Sequence, residues 1–311
     1  MKVFDRASKK GQLERLMRTE LSLPEEQRFS ADFIREVITE TVIDRFRDIK
    51  DRRFPRVLDI GSRMAANQAF SQKCFDGLHE HAGVEELTLL DATPLAFQDA
   101  HSRHFRVRTV AQDADFGRLL EAVPEQGFDA VISSLALHWY NDLPSLFSQV
   151  RRALKPDGVF IASIYGGKSL RQLREALILA EQERHGGVGL HVSPMAGVAD
   201  VGGLLQYAGF SLPTVDTEQF TVHYADLFAL MEDLRRMGET NAHLHRRLHL
   251  SKETLLAAAS IFSQLHGAQH PQHGHAIPVT FEVIHLIGWS PHDSQPKSIE
   301  RGTAEKSLKD L

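Results

Sequence analysis

The sequence predicts an α/β fold in which a doubly wound, mainly parallel sheet of seven strands carries helices on both faces. Three observations favour it. Short apolar runs such as Val57-Leu58-Asp59-Ile60-Gly61 and Val131-Ile132-Ser133-Ser134-Leu135 contain few polar residues, as strands buried inside a parallel sheet do. Such runs recur from residue 56 to residue 164, and stretches with helical spacing separate them. Strands that alternate with helices need crossover connections, which build a parallel sheet covered on both sides.

The amino-terminal part of the chain is predicted to be helical. Residues 12–50 carry apolar side chains at helical spacing among charged ones, and this pattern ends at Phe54-Pro55. A proline disfavours the helical conformation of the residue before it, so the chain is expected to leave the helix there. We therefore interpret residues 1–55 as a helical extension in front of a main domain at 56–290.

Five strands are predicted in the first part of the main domain, each a short run rich in β-branched and other apolar residues. They are 56–60, 86–91, 106–111, 128–134 and 158–164. After Gly166-Gly167, a helix is predicted at 168–185, because leucines recur there on one side at helical spacing. A second helix is predicted at 198–208, where Gly209 provides a stop.

The last part of the main domain is predicted to close the sheet and to cover it. Two alternating segments, 213–223 and 277–289, are expected to pair as an antiparallel hairpin at the edge of the sheet. Helical stretches at 225–238 and 251–267 lie between them. We interpret the insertion 225–267 as a helical lid over the carboxyl ends of the strands.

Composition restricts the class of protein. With 311 residues, of which 42% are hydrophobic, the chain can bury one sizeable core. A net charge of −5 gives no electrostatic reason to expect nucleic acid as a partner. Cys74 is the single cysteine, which excludes an intrachain disulfide and favours a reducing compartment. No apolar run reaches the roughly 20 residues of a transmembrane helix. The amino terminus has the features of neither a signal peptide nor a transit peptide. The tail 291–311 is polar.

Several motifs resemble those of known proteins. Val57 to Gly61, Val131 to Pro144 and Leu154 to Ala162 resemble strands 1, 4 and 5 of the class I S-adenosylmethionine-dependent methyltransferases, which have a Rossmann-like sheet. Over nearly its whole length the chain also resembles the NADH dehydrogenase 1 alpha subcomplex assembly factor 5 family, a methyltransferase-like branch of mitochondria and some bacteria. The motifs specific to that branch are Gly166-Gly167 with Leu170 and Leu173-Arg174, His191-Val192-Ser193-Pro194, and Met231-Glu232-Asp233-Leu234 with Met237-Gly238-Glu239.

The resemblance implies a function. The family takes part in the assembly of respiratory complex I, and the activity described for it is hydroxylation of an arginine in a complex I subunit. This implies a complex I subunit or assembly intermediate as protein substrate. It also implies a place on the matrix side of the mitochondrial inner membrane, with membrane association through partners, or in the cytoplasm if the source is bacterial. The fold itself implies S-adenosylmethionine as cofactor and methyl transfer as activity.

The loop after the first strand departs from the pattern of this fold. It usually reads Asp-x-Gly-x-Gly-x-Gly, because the backbone must approach the cofactor closely and take positive φ. Here it reads Asp59-Ile60-Gly61-Ser62-Arg63-Met64-Ala65, so only the first glycine is kept. Three interpretations stay open: Arg63 obstructs the cofactor, its guanidinium pairs with the cofactor carboxylate, or the loop is structural and the pocket reduced or empty.

The other cofactor candidates lie in or after later strands. Asp91 is placed to accept bonds from both ribose hydroxyls, or it caps the turn Asp91-Ala92-Thr93-Pro94. Asp113 lies where this fold holds an acid near the adenine amino group, or it is a turn residue. The complete predicted cofactor set is Asp59, Gly61, Asp91, Ala92, Asp113, Ala114 and Ser133.

The catalytic residues are left open, with His138, Trp139 and His191 as candidates. His138 and Trp139 close strand 4, where cofactor and substrate meet in this fold, so the imidazole could orient a substrate or act as a base. Packing at a strand end is the alternative. No metal site is predicted, because the histidine clusters at 243–249 and 266–275 lie in charged or Pro/Gly-containing segments without a carboxylate at matching spacing.

Two functions from different classes fit these residues. The first is an S-adenosylmethionine-binding enzyme that modifies a protein during complex I assembly. The second is a non-catalytic assembly chaperone that kept the fold and lost the cofactor. The altered loop Gly61–Ala65 favours the chaperone, whereas the retained carboxylates favour the enzyme. The lid 225–267 and His191-Val192-Ser193-Pro194 are expected to face the protein partner, with Glu232 and Glu239 as exposed lid residues.

Overall fold

The structure is a computed structural model that describes residues 2–22, 33–61, 64, 68–98, 100–115, 118–247, 249–270 and 274–296. One mixed sheet runs through the main domain. Its strands are β1 (Arg56–Ile60), β2 (Glu86–Asp91), β3 (Arg106–Ala111), β4 (Phe128–Ser134), β5 (Leu154–Tyr165), β6 (Ser211–Tyr224), β7 (Ala268–His270) and β8 (Gly274–Trp289). The order across the sheet is β3-β2-β1-β4-β5-β8-β6, and the short β7 pairs with β8.

This topology confirms the predicted fold. Strands β1 to β5 are parallel to one another, β8 runs antiparallel to β5, and β6 pairs antiparallel with β8 as the expected hairpin. Two details differ from the prediction, since β7 adds a strand and β5 begins at Leu154 rather than at residue 158. Residues 155–158 include proline and glycine, which favour a turn in isolation. Leu154 pairs with Phe128 and the ladder resumes with Val159 opposite Ala130, so residues 155–158 form an irregularity inside β5 in which Asp157 has a positive φ.

Helices cover both faces of the sheet. They are α1 (Arg6–Ser22), α2 (Phe33–Asp48), α3 (Gln68–Gly77), α4 (Leu119–Ala122), α5 (Leu143–Ala153), α6 (Arg171–His185), α7 (Val198–Tyr207), α8 (Leu227–Arg236) and α9 (Lys252–His266). Successive strand residues point to opposite faces. Leu58 and Ile60 therefore join a core with α5 and α7, whereas Val57 joins a core with α2 and α3. Because both faces are buried, the parallel strands read as continuous apolar runs.

A third core holds the lid together. Apolar side chains of α6, α8 and α9 pack with the ends of β6 and β8 that extend beyond the parallel strands, and Phe262 and Phe281 are almost fully buried there. The lid helices α8 and α9 follow β6 and precede β8, as predicted. The lid is thus packed on the sheet by its own hydrophobic core.

The amino-terminal extension forms two helices, and the first begins at Arg6, earlier than predicted. It is held close to the ends of the strands, because Phe4 pairs with His243 and packs against Trp139. The domain boundaries at residues 55 and 290 stay predictions, and most of the tail, 297–311, lies outside the described residues. Within the described ranges, every helix is too short or too polar to cross a bilayer.

Candidate functional site

Two cavities open at the carboxyl ends of the parallel strands. The larger, which we call the lid cavity, measures about 470 Å³ and lies between the end of β5, helices α6 and α8, and the chain that joins α8 to α9. Its apolar lining is Trp139, Tyr165, Leu170, Leu173, Leu177, Val192, Met195, Met231, Leu234, Leu250 and Phe281. The smaller, which we call the crevice, measures about 40 Å³ and lies between the ends of β1, β2 and β4 and helix α1.

Three of the predicted cofactor residues, Gly61, Asp91 and Ala92, line the crevice. Gly61 has a φ of +70°, and a Cβ at this position would lie 2.4 Å from Cβ of Ala136. The turn after β1 therefore requires glycine, for its backbone conformation and for the close approach of the next loop. The Arg63 side of the loop, with Ser62 and Ala65, lies outside the described residues, so the interpretations of Arg63 stay open.

Asp91 takes part in the turn that follows it in the sequence, as the alternative to ribose binding predicts. Its Oδ1 accepts a hydrogen bond of 2.7 Å from the Thr93 N–H, just before the short 3₁₀ segment Pro94–Phe97. Asp91 also lines the crevice. The assignment of Asp91 to a ribose stays a prediction.

The other predicted cofactor residues lie away from the crevice. Asp59 and Ser133 are buried in their strands, and Ser133 Oγ donates a 2.7 Å hydrogen bond to the Ile60 carbonyl. Ala114 is fully buried in the core beneath α5. Asp113 accepts two hydrogen bonds from the Arg6 guanidinium, at 2.8 and 3.0 Å. The position expected near an adenine is thus occupied by an arginine of α1.

Helix α1 forms one wall of the crevice. Arg6, Lys9 and Leu13 line the crevice, and the Asn141 side chain anchors the start of the chain by accepting 2.7 Å hydrogen bonds from two backbone N–H groups. Pockets for small-molecule ligands measure about 300–1,000 Å³. The donor and acceptor groups of the crevice suit S-adenosylmethionine, but its volume of about 40 Å³ does not admit the molecule while α1 is in place.

A buried charge cluster separates the two cavities, and Glu239 is its centre. Glu239 Oε2 accepts a 2.9 Å hydrogen bond from the Trp139 indole N–H and lies 3.1 Å from His138 Nε2. Arg35 lies 3.4 Å from Oε1, and the Lys9 ammonium lies 4.0 Å from Oε2. One carboxylate therefore stands among two fixed cations and two N–H donors, all with little exposure.

The positive charges around Glu239 keep its carboxylate ionised at neutral pH. Burial acts to raise the pKa of Glu239, but the charge of Lys9, the hydrogen bond with His138 and the charge of Arg35 outweigh burial and lower the pKa to about 2. Burial also lowers the pKa of His138, although Glu239 acts in the opposite direction. The imidazole is therefore neutral at pH 7, its Nε2–H donates to Glu239, and its buried Nδ1 has no hydrogen-bond partner within the described structure.

This cluster corrects the prediction that Glu239 is an exposed lid residue. Its side chain is 6% exposed, whereas that of Glu232, on α8, is 48% exposed. Sequence reasoning also missed Lys9 and Arg35 as site residues. A signal for Arg35 was present, because it shares helical spacing with the buried Thr39 and with the apolar residues of α2.

The structure separates the three catalytic candidates. Trp139 lines both cavities, His191 lines the lid cavity, and His138 lines neither. His191 Nε2 lies 2.8 Å from Oε1 of the fully buried Glu181, and the Arg247 guanidinium lies 3.1 Å from the same oxygen. Burial acts to raise the pKa of Glu181, but His191 and then Arg247 lower it below its usual value. Their catalytic roles stay predictions.

The histidine-rich segments form no obvious metal centre in the described part of the chain, where no three His, Cys, Asp or Glu side chains are placed to hold an ion. The rings of His243 and His245 lie 6.0 Å apart. His273 lies outside the described residues. The expectation of no metal stays a prediction.

A second buried histidine gives a testable dependence on pH. Burial lowers the pKa of His285, whose Nδ1 lies 2.8 Å from Ser163 Oγ. The unfolded chain then binds more protons than the folded chain below the usual pKa of 6.5. We expect the free energy of unfolding to fall as the pH drops from about 7.5 to about 5.5, and to fall less in His285→Gln. Urea unfolding at both pH values measures this, and an equal loss in the two proteins would contradict it.

Comparison with known proteins agrees with the topology. Residues 69–162 match the methyltransferase domain family. A solved structure of a methyltransferase candidate from Bacillus halodurans C-125 shares 14% identity and a TM-score of 0.50, over 80% of this chain and 99% of that one. At this identity the likeness shows the fold alone, and the fold is that of a class I methyltransferase.

Two relatives determine the family. The "Arginine-hydroxylase NDUFAF5, mitochondrial" of Danio rerio is 38% identical over 312 residues, which cover 100% of this chain and 90% of the relative. The protein of the same name from Dictyostelium discoideum is 39% identical over 285 residues, or 90% of this chain and 65% of the relative. The described site lies within the shared length. The chain therefore belongs to the NDUFAF5 arginine-hydroxylase family.

Proposed function

We propose that the protein is an enzyme of complex I assembly in mitochondria that hydroxylates an arginine of a complex I subunit. The observation that carries the proposal is the identity of 38–39% to mitochondrial arginine-hydroxylases over 90–100% of the chain. The resemblance of the lid motifs to the same family supports it. The enzyme needs a site for one side chain of a protein substrate, and the lid cavity offers one.

The lid cavity has the size and the lining for an arginine side chain. Its volume of about 470 Å³ falls within the usual range for ligand sites. Leucine and methionine side chains line it, so they would contact the aliphatic stem of an arginine, while Glu239 is the acidic group in its wall. Three arginines also line it, and each is paired with a carboxylate: Arg235 with Glu232, Arg246 with Asp5 and Arg247 with Glu181. Ligands of α/β sheets bind at the carboxyl ends of the strands, which is where this cavity opens. The protein partner would accordingly dock over α8 and α9.

S-adenosylmethionine is the cofactor that we propose for the crevice. Asp91 would hold the ribose, and the turn at Gly61 would let the backbone approach the amino-acid half of the cofactor. When bound, the cofactor would supply an activated sulfonium group. Hydroxylation would in addition need dioxygen as the source of the inserted oxygen atom and a two-electron reductant, so that the second oxygen atom leaves as water. Because Arg6 and Lys9 now fill the crevice, the cofactor can enter only when α1 moves away from the strand ends.

Calorimetric titration with S-adenosylmethionine tests this assignment. We expect the parent protein to bind the cofactor and Asp91→Ala to bind it more weakly by roughly 1.5–3 kcal/mol, the scale of hydrogen bonds to a charged group. Asp44→Ala is the control, because Asp44 is an exposed carboxylate on α2 whose side chain is 57% exposed. Equal affinity of Asp91→Ala and the parent, with both folded, would reject the ribose assignment.

The non-catalytic chaperone is the second candidate function, and the filled crevice favours it. The ion pair between Arg6 and Asp113 is the contact expected if α1 has permanently replaced a cofactor. The same titration separates the two candidates. Absence of S-adenosylmethionine binding, both in the parent and in Arg6→Ala, would favour the chaperone.

A further inference from the structure

Trp139 and Glu239 form the wall between the two cavities. Of the described residues, they are the two that line both the lid cavity and the crevice. The indole N–H donates to the carboxylate at 2.9 Å, which fixes the two groups relative to each other. A ligand in the lid cavity therefore meets an acidic oxygen beside an aromatic ring. This pair is the chemistry that recognises an organic cation.

A cation of the protein already uses this pair from the crevice side. The Lys9 ammonium lies 3.3 Å from the centroid of the Trp139 ring and 4.0 Å from Glu239 Oε2, and it also donates to the Gly238 carbonyl. Arg35 is fixed differently, because its guanidinium donates to the Ser134 and Leu135 carbonyls at 2.7 Å each. Lys9 is thus the cation that the amino-terminal helix brings to the cluster.

We propose that Glu239 and Trp139 bind the guanidinium of the substrate arginine from the lid cavity. In the free protein, the Lys9 ammonium takes the place of this guanidinium beside the two residues. The proposal rests on the proposed function, since an arginine substrate is what brings a guanidinium to this cavity. Glu239 and Trp139 are then the residues that select arginine.

Charge balance explains why the two cations compete. Glu239 carries one negative charge, and Arg35 and Lys9 together carry two positive charges. A guanidinium added beside them would leave three cations around one carboxylate in a buried site, which is unfavourable without a counter-ion. Lys9 must therefore withdraw when the arginine binds. Because Lys9 lies on α1, its withdrawal would loosen the helix that fills the crevice.

The test compares two lysines of the same helix. Lys9→Met removes the ammonium but keeps an unbranched side chain against the indole. Lys10→Met is the control, because Lys10 also lines the crevice but not the lid cavity, is half-exposed and pairs with Glu14. The probes are acetyl-Leu-Arg-Leu-amide and the same peptide with citrulline, which has the shape of arginine without its charge. Calorimetry and the shift in melting temperature measure their binding to the full chain.

We expect Lys9→Met to bind the arginine peptide about tenfold more tightly than the parent and Lys10→Met do, and to gain nothing for the citrulline peptide. A larger rise in melting temperature on adding the arginine peptide to Lys9→Met is expected too, because the peptide restores the missing cation. A role of Lys9 in folding alone would not change the preference for arginine over citrulline.

Three results would overturn the proposal. The first is unchanged affinity of Lys9→Met for the arginine peptide, and the second is an equal gain in affinity for both peptides. The third is a gain in affinity for S-adenosylmethionine alone, since Glu239 and Trp139 would then hold the cofactor sulfonium. If Lys9→Met does not fold, Lys9→Gln replaces it, because its amide can still donate to the Gly238 carbonyl. These experiments measure binding only, whereas hydroxylation is tested by detecting the modified arginine. The binding role of Glu239 and Trp139 and the proposed hydroxylation can therefore fail separately.

Discussion

Replacing Glu239 with glutamine is expected to lower the free energy of unfolding by about 3–5 kcal/mol, the largest stability effect that we predict for one substitution. Glutamine has nearly the shape of glutamate but no charge. It leaves Lys9 and Arg35 buried without the carboxylate that balances them, and the Trp139 N–H with a weaker acceptor. Urea unfolding followed by circular dichroism measures the loss.

The control for this prediction is Glu232→Gln, which makes the same chemical change at an exposed position of the lid. Its partners, Arg235 and Arg236, lie on the surface of α8, so the expected change is within about 0.5 kcal/mol. Similar stabilities for the parent and Glu239→Gln would show that the buried cluster does not hold the lid to α1 and α2.

Replacing Gly61 with alanine is expected to destabilise the protein by about 2–5 kcal/mol. The positive φ of +70° accounts for part of this, because a side chain in the left-handed region costs about 1–2 kcal/mol. The rest comes from the new Cβ, which would lie 2.4 Å from Ala136 Cβ and would force the loops after β1 and β4 apart. The same movement should deform the crevice. Chemical unfolding and S-adenosylmethionine titration measure the two effects.

Two further variants separate the causes. Gly187→Ala adds a methyl group where no atom lies within 4 Å and φ is not positive, so it should change stability little. Adding Ala136→Gly to Gly61→Ala removes the opposing Cβ and should restore the steric part of the loss while the backbone part remains. If the double variant is no more stable than Gly61→Ala, close approach of the two loops is not the cause.

Features encoded by local patterns could be predicted from the sequence. The parallel strands, the closing hairpin and the lid helices each follow from a hydrophobic period over a few residues, and the structure has them nearly where they were expected. Gly61 could be predicted for the same reason, because a strand that ends in Asp-x-Gly requires a tight turn. Residues 155–158 show the limit of this reasoning, since they have no partners in the register of β4 and form an irregularity with a positive φ at Asp157, yet the strand continues on both sides of them.

The environment of the site could not be predicted, because contacts between distant parts of the chain create it. Arg6 meets Asp113 across 107 positions of sequence, and Arg35 meets Glu239 across 204. The hydrophobic period of a single segment does not indicate such pairs. Glu239 follows Met237-Gly238 at the end of a charged, amphipathic helix, which is typical of an exposed residue. Its burial results from α1 and α2, which bring Lys9 and Arg35 to it.

Mass spectrometry of a complex I subunit is the most direct test of the central claim, that this protein hydroxylates an arginine during assembly. The measurement compares complex I intermediates from cells that lack the protein with those from cells that produce the parent or the control Glu232→Gln. We predict one arginine that carries a single added oxygen when the parent or the control is present and no addition when the protein is absent. An arginine that stays unmodified while complex I assembles normally, or that gains a methyl group instead of oxygen, would contradict the claim.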